Sequence, residues 1–148
     1  MPADHPEYLF VYGTLRRDFR HPLQALMEKY ARHAGTAHYA GRLFDLGEYP
    51  GVVPAPGARA RVVGDLYLVT SAQHLFPVLD RYEGCTDEGD HPAEYRREQQ
   101  MVRLADERDC PAWIYLWNAA PPEGQIIPSG DYLQYLQGER NVCAGNAQ

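Results

Sequence analysis

A run of five apolar residues near the N-terminus, Tyr8-Leu9-Phe10-Val11-Tyr12, limits the folds that this chain can adopt. Every position in the run is apolar, so the run lacks the alternation of a strand that has one face in water. Such a run is typical of a β-strand that is covered on both faces, and Gly13 ends it. The fold must therefore bury this strand from two sides.

Further strands are predicted at residues 36–46, 51–53, 61–69, 95–104 and 112–117. The turn Gly47-Glu48-Tyr49-Pro50 separates the first two of these segments, and Gly64 marks a β-bulge in the third. Five or six strands with few, separated helices favour a strongly curved mixed sheet. The predicted fold class is therefore α+β, a small mixed β-barrel with short helices on its flanks.

Three short helices complete this prediction. The first begins at Pro22, the second is capped by Ser71 and ended by Gly84, and the third covers residues 129–136. An interior proline, Pro77, is expected to kink or restart the second helix. Apolar spacing gives each of the first two helices a buried face, formed by Leu23, Leu26, Met27 and Tyr30 in the first and by Leu75, Val78, Leu79 and Tyr82 in the second.

The length of 148 residues suits one domain. With 45% hydrophobic and 23% charged residues, the composition is that of an ordinary globular protein and not of a disordered chain. We expect a single domain over residues 1–148, with an ordered core at about residues 8–137 and a mobile C-terminal tail from Glu139.

The net charge and the cysteine content exclude several classes of partner and site for this protein. A formal charge of −6 gives no overall attraction for nucleic acid or for an anionic membrane. No apolar run approaches the roughly 20 residues that span a bilayer, and the N-terminus lacks the pattern of a signal peptide. Three cysteines without C-x-x-C spacing exclude a complete disulfide framework and a Cys-rich zinc site. We therefore expect a location in the reducing cytoplasm and no nucleic-acid or membrane partner.

The turn Tyr12-Gly13-Thr14-Leu15 is the first candidate site. Where a chain leaves a buried strand and turns at a glycine, successive backbone N–H groups lack ladder partners and form a concave set of donors. Such donors suit a carboxylate or a developing oxyanion, and the Thr14 hydroxyl adds one more. The same pattern occurs in ordinary strand-ending turns, so both interpretations stay open at this point.

Glu83 is the second candidate, because it lies in the last turn of the second predicted helix. The negative end of the helix dipole and the apolar neighbours Leu79 and Tyr82 both disfavour a carboxylate there, so both raise the carboxyl pKa. A carboxyl that titrates near neutrality can accept and return a proton. An exposed glutamate at a helix end, with no chemical role, is the alternative.

The acidic loop at residues 85–94 offers two weaker hypotheses. Cys85 and His91 form a candidate nucleophile and base, although no third residue is evident that would orient the histidine. Asp87, Glu88 and Asp90 with that histidine form a candidate metal site, but they lack the spacing of a calcium loop, and a solvated acidic loop is the favoured interpretation. No Walker A or G-x-G-x-x-G motif supports nucleotide binding.

Seven short motifs follow one another along the chain between about residues 8 and 136: Val11-Tyr12-Gly13-Thr14-Leu15-Arg16, Leu46-Gly47-Glu48-Tyr49-Pro50-Gly51, Gly64-Asp65-Leu66-Tyr67, Leu79-Asp80-Arg81-Tyr82-Glu83-Gly84, Tyr95-Arg96-Arg97, Ala112-Trp113-Ile114-Tyr115 and Ser129-Gly130-Asp131-Tyr132. In this order they resemble the gamma-glutamylcyclotransferase-like family, which includes the avirulence-induced-gene-like proteins of plants and many small bacterial proteins. The resemblance implies a small β-barrel with flanking helices.

The resemblance also implies a site and a reaction. The substrate-binding loop corresponds to Tyr12, Gly13, Thr14 and Leu15, and the glutamate of the Asp-x-x-Glu-Gly pattern, a general acid and base, corresponds to Glu83. Tyr95 matches a tyrosine near the pocket. Characterised members release 5-oxoproline and a free amine or amino acid from a gamma-glutamyl compound, a reaction that needs no metal or organic cofactor.

The sequence therefore leaves three functions open. The first is a gamma-glutamyl cyclotransferase that acts on a small gamma-glutamyl compound. The second is a binding module, without enzymatic activity, that holds a small carboxylate or gamma-glutamyl metabolite in the same pocket. The third is a hydrolase or transferase that uses Cys85 as its nucleophile.

Overall fold

The computed structural model describes residues 7–13, 15, 23–46, 50–83, 94–118 and 125–138. In chain order its elements are β1 (Glu7–Val11), α1 (Gln24–Tyr30), β2 (Ala31–Tyr39), β3 (Gly41–Asp45), β4 (Pro50–Pro54), β5 (Val62–Val69), α2 (Ala72–Tyr82), β6 (Tyr95–Leu104), β7 (Asp109–Trp117) and β8 (Gln125–Ile126). A third helix, α3, covers residues 132–138. The predictions for Thr14, Pro22, residues 47–49, residues 84–93 and the tail from Glu139 lie outside the described residues.

Five strands close into a barrel in the order β1-β5-β2-β6-β7. Successive neighbours from β1 to β7 are antiparallel, and the parallel pair of β1 with β7 closes the barrel at Leu9 and Trp113. Both orientations occur in one closed sheet, so the prediction of a small mixed barrel with flanking helices, in the α+β class, is confirmed.

The first strand is buried from two sides, as its continuous apolar run predicts. Phe10 points into the barrel and belongs to an inner apolar cluster with Leu66 of β5 and Ile114 of β7. Leu9 and Val11 belong to an outer cluster that the helices cover, formed with Leu15, Met27, Ala31, Tyr67, Val69, Leu75, Phe76, Leu79, Tyr95 and Tyr115. The chain therefore places a filled barrel on one face of β1 and helices on the other.

A second, three-stranded sheet lies beside the barrel in the order β4-β3-β8. The prediction of one strand over residues 36–46 is wrong, because β2 ends at Tyr39 and β3 begins at Gly41, in the other sheet. At Gly41 a Cβ atom would lie 2.9 Å from the ring of Tyr39 and 3.0 Å from the carbonyl oxygen of Val53. This close approach is where the chain passes from the barrel to the second sheet.

The bulge predicted at Gly64 is also wrong. Gly64 pairs in register with Ala37, and the irregularity between β2 and β5 lies between His33 and Gly35. A Cβ at Gly64 would lie 2.4 Å from the carbonyl oxygen of Val11. The glycine therefore lets β1 approach β5 closely, which is a packing requirement and not an extra residue.

Helix α2 has the predicted position but a different buried face. Leu75, Phe76 and Leu79 are buried, whereas Val78 is 41% and Tyr82 is 49% exposed. The prediction is confirmed for Leu75 and Leu79 and is wrong for Val78 and Tyr82, since Phe76 is the third buried residue of the helix.

The alternative of a restart at Pro77 and the capping hydrogen bond expected from Ser71 are both wrong. The helix is one continuous element through Pro77, with no restart. Ser71 stands at the N-cap position, but its Oγ lies 2.6 Å from Nδ1 of His74 and makes no capping hydrogen bond.

Helix α3 begins at residue 132, three residues after the predicted start at Ser129, and Asp131 caps it. The backbone N–H of Gln134 donates to Oδ1 of Asp131 at 3.1 Å, which is the N-cap interaction. The Ser129 hydroxyl oxygen accepts the N–H of Asp131 at 3.2 Å. Ser129 therefore fixes the capping residue and is not the cap itself.

Candidate active site

Glu83 follows directly on the last residue of α2, and its backbone N–H donates to the carbonyl of Leu79 at 2.8 Å. The side chain is largely buried, and no hydrogen bond or ion pair to its carboxyl occurs among the described residues. Burial raises the pKa of Glu83 from 4.5 to about 7. The direction predicted from the sequence is confirmed, and desolvation is its cause.

Two buried residues, one at the end of α2 and one in the turn after β1, belong to the same apolar cluster. Leu79, one turn before Glu83, belongs to the outer apolar cluster, and so does Leu15 from the turn after β1. Both are nearly inaccessible to solvent, at 0% and 3% exposure. Stretches of chain about seventy residues apart in sequence therefore meet in one apolar cluster.

Strand β7 also joins the end of β1 to the end of α2, through hydrogen bonds that Tyr115 makes on both sides. The Tyr12 hydroxyl donates to the backbone carbonyl of Tyr115 at 2.6 Å. The Tyr115 hydroxyl, on the outer face of the same strand, donates to Oδ1 of Asp80 at 2.8 Å. Asp80 stands three residues before Glu83, so both carboxyl groups lie on one side of the α2 end.

Tyr95 lies beside the turn that follows β1. Its hydroxyl donates to the carbonyl of Pro50 at 2.6 Å. A Cβ added to Gly13 would lie 3.1 Å from Cγ of that same proline. Pro50 therefore separates Tyr95 from the turn by one residue, and the role of Tyr95 in substrate binding stays a prediction.

The described part of the turn keeps backbone donors available. The N–H groups of Gly13 and Leu15 have no hydrogen-bond partner among the described residues. Nε2 of Gln24, the first residue of α1, donates to the carbonyl of Leu15 at 2.6 Å and so fixes the end of the turn. The third proposed donor, Thr14, lies outside the described ranges.

Sequence reasoning misses a polar network next to Glu83. Arg97 on β6 makes two contacts with Asp80, from Nε to Oδ1 at 2.8 Å and from Nη2 to Oδ2 at 3.2 Å. The guanidinium carbon lies over the rings of both Phe76 and Trp113, 4.2 and 4.6 Å from their centroids. The available signal is the spacing of three between Asp80 and Glu83 on a helix.

The remaining hypotheses, a nucleophilic Cys85 with His91 and a metal site at residues 87–91, fall on residues that the structure does not describe and stay predictions. Among the described residues, no group of three or more His, Cys, Asp or Glu side chains could hold a metal ion. Cys110 is a free thiol, whereas Cys85 and His91 lie outside the described residues. None of the described helices is long and apolar enough to cross a membrane.

The model of the family "Gamma-glutamyl cyclotransferase, AIG2-like" matches residues 9–134 of this chain. The chain belongs to this family. A Vibrio cholerae protein named "Putative gamma-glutamylcyclotransferase" is 33% identical over 127 residues, which cover 85% of this chain and 95% of that protein. A Methanocaldococcus jannaschii protein of the same name is 29% identical over 132 residues, covering 87% and 98%.

Solved structures of other proteins share the fold of this chain. A mouse AIG2-like protein has a TM-score of 0.68 at 24% identity, covering 86% of this chain and 88% of the mouse protein. A Pyrococcus horikoshii protein has a TM-score of 0.65 at 22% identity, covering 91% and 97%. With the family match and the named relatives, the chain is an enzyme of the gamma-glutamyl cyclotransferase type.

Burial of the Glu83 carboxyl should make the stability of the folded protein depend on pH. A glutamate whose pKa is raised on folding destabilises the folded state as the pH rises from about 4.5 to about 7, because the chain must bury a carboxylate. Glu83→Gln should therefore be more stable than the wild type at pH 8, by about 3 kcal/mol, and equally stable near pH 4. Chemical denaturation at both pH values measures this difference.

The matched control is Glu28→Gln, at an exposed position of α1. It should leave the difference between pH 4 and pH 8 as it is in the wild type. Equal stability of Glu83→Gln and the wild type at pH 8 would show that the Glu83 carboxylate is well solvated.

Proposed function

We propose that this protein releases 5-oxoproline and a free amine or amino acid from a small gamma-glutamyl compound, with Glu83 as the general acid and base. The observation that carries the proposal is the Glu83 carboxyl itself, largely buried, without a polar partner in the described ranges and with a pKa of about 7. At neutral pH such a group is present in both protonation states, as a proton shuttle requires.

The substrate supplies its own nucleophile. In a gamma-glutamyl group the α-amine can close a five-membered ring on the γ-carbonyl carbon. The new C–N bond forms as the bond to the departing amine breaks, so no water or second substrate is consumed. Holding the group in this bent pose can lower the barrier by about 7–11 kcal/mol, the range of well-oriented intramolecular reactions.

One carboxyl accounts for both proton transfers. The Glu83 carboxylate first accepts a proton from the substrate's α-ammonium, which makes the amine nucleophilic. The neutral carboxyl then returns that proton to the departing nitrogen. The second proton that the ring nitrogen must lose passes through the same carboxylate to the released amine, which leaves as its ammonium, so the enzyme ends the cycle in its starting state. The proposed steps need proton transfer and hydrogen-bond donors alone, and we invoke no metal or organic cofactor.

We assign the turn after β1 to the negative charge of the substrate. The backbone N–H groups of Gly13, Thr14 and Leu15 would hold the α-carboxylate or the oxyanion that develops on the γ-carbonyl. Tyr12 and Tyr95 donate their hydroxyl protons to carbonyls of the protein. Their proposed contribution is therefore the shape of the pocket and not a hydrogen bond to substrate.

The test is incubation with a panel of gamma-glutamyl amines, amino acids and peptides, with 5-oxoproline as the measured product. We expect turnover of at least one panel member, with kcat/KM rising as the pH increases through about 7, because the carboxylate form of Glu83 is the base. Calorimetric binding of 5-oxoproline without turnover would instead favour the binding module. We also propose a cytoplasmic location, on the cysteine pattern of the sequence.

A further inference from the structure

Arg97 is held more firmly than a surface arginine. Its guanidinium carbon lies close to two aromatic ring faces and the group makes a two-point contact with Asp80, and the side chain of each partner is 23% exposed. A two-point carboxylate contact needs guanidinium geometry, which a lysine cannot reproduce. Asp80 is therefore fixed in one orientation at the end of α2.

Asp80 in turn determines where the Tyr115 proton points. Oδ1 of Asp80 accepts both the Arg97 Nε–H and the Tyr115 O–H, each at 2.8 Å. A phenol has a single proton to donate. With that proton on Asp80, the Tyr115 oxygen has lone pairs alone to offer to any other neighbour.

Glu83 is such a neighbour. It stands three residues after Asp80, so the two side chains lie on the same side of the α2 end. The Tyr115 pKa is raised above its usual value by burial first and by Asp80 next, and the charge of Glu83 adds to that rise. The Tyr115 hydroxyl therefore stays protonated, and it lies 2.8 Å from Oδ1 of Asp80, on the side of the α2 end that Asp80 shares with Glu83.

Resting on the function proposed above, we propose that Asp80 is a positioning residue for Glu83. Locked by Arg97, Asp80 holds the Tyr115 O–H away from the Glu83 carboxylate, so that the general base receives no hydrogen bond from this phenol. A donated hydrogen bond would stabilise the carboxylate and weaken it as a base. Asp80 thus keeps the proton shuttle poised near neutral pH without touching the substrate.

Several titratable or charged groups surround this corner of the molecule, and the test must separate their effects. They are Asp80 with its partners Arg97 and Tyr115, Arg81 in the last turn of α2, Tyr12, which donates to the Tyr115 carbonyl, and Tyr95, which shares the outer apolar cluster with Leu79. Arg97 is the main competing cause of a change in the Glu83 pKa, because removal of the Asp80 charge leaves the positive charge of Arg97 uncompensated. That charge would also favour the Glu83 carboxylate.

The experiment measures the Glu83 carboxyl pKa by carbon-13 NMR titration of glutamate-labelled protein, together with the pH profile of kcat/KM. Asp80→Ala removes both carboxylate oxygens, including Oδ1, which accepts the Tyr115 O–H, and therefore frees the phenol proton. We expect the pKa of Glu83 to fall by about one pH unit. Tyr115→Phe alone should leave the pKa near its wild-type value.

The double variant Asp80→Ala with Tyr115→Phe decides the cause. If the phenol proton lowers the pKa, its removal restores the value of Tyr115→Phe. A pKa that stays low in the double variant assigns the effect to the charge of Arg97 and overturns the proposal. A rise of the pKa in Tyr115→Phe alone also overturns it, since the phenol would then already donate to Glu83 in the wild type.

The control is Asp109→Asn on β7, whose carboxylate pairs with Arg103 at an exposed position. It should not move the Glu83 titration. The NMR measurement needs no turnover, so a protein that makes no 5-oxoproline refutes the proposed function while the role of Asp80 is still tested.

Discussion

Glu83→Gln should reduce the formation of 5-oxoproline by at least about 100-fold, the lower end of what general acid–base catalysis contributes. Glutamine has the shape of glutamate and fits the same largely buried position, but its amide cannot accept the ammonium proton. Because the side chain makes no hydrogen bond or ion pair within the described ranges, the substitution breaks no polar contact known there. We therefore expect kcat to fall while KM changes little.

Two comparisons make this result specific. Glu28→Gln, on the exposed face of α1, should keep full turnover. Cys85→Ser should also keep it, since the proposed mechanism uses no thiol. Full turnover in Glu83→Gln together with its loss in Cys85→Ser would reverse the assignment and favour the nucleophilic mechanism through Cys85.

The features that the sequence predicts well depend on local patterns. A continuous apolar run of five residues predicts a strand buried from two sides, and β1 lies between a filled barrel and the helices. The pKa direction of Glu83 is similarly local, because an apolar helix end disfavours a carboxylate wherever the helix packs. These inferences need no knowledge of which strands are neighbours.

The features that the sequence misses depend on strand pairing. Arg97 reaches Asp80 because β6 pairs with β7, and this pairing places Arg97 beside the helix that β7 supports. Nothing in the spacing of seventeen residues between them predicts that contact. The prediction of the buried face of α2 is wrong at Val78 for the same reason. Trp113 and Arg97, on neighbouring strands, contact Phe76 and so bury it in place of Val78.

Gly64 shows how one sequence signal can have two structural causes. A glycine inside a strand indicates either a bulge or the close approach of another backbone. The register of β5 excludes the bulge, and the carbonyl of Val11 explains the glycine. The sequence alone offers both causes, and strand pairing selects between them.

Gly130→Ala should destabilise the protein by more than about 3 kcal/mol, because two separate costs combine there. Gly130 has a φ of +68°, which disfavours any residue with a Cβ. A Cβ would also lie 1.8 Å from the backbone carbonyl oxygen of Arg61, which cannot move as a flexible side chain does. The carbonyl oxygen of Gly130 also accepts the N–H of Val63, in β5, at 2.7 Å. A backbone shift that relieves the clash would therefore displace β5.

Two other glycines separate the costs in the same denaturation experiment. Gly57 has a φ of +82° but open space around its Cβ, so Gly57→Ala should show the conformational cost alone, about 1 kcal/mol. Gly138, at the end of α3, has open space and no positive φ, so Gly138→Ala should cost nothing measurable. A loss at Gly130 no larger than at Gly57 would mean that the Arg61 carbonyl yields to the new side chain. Because β5 pairs with β1 along Glu7–Val11, the larger loss should also lower activity, through the strand that leads into the substrate-binding turn.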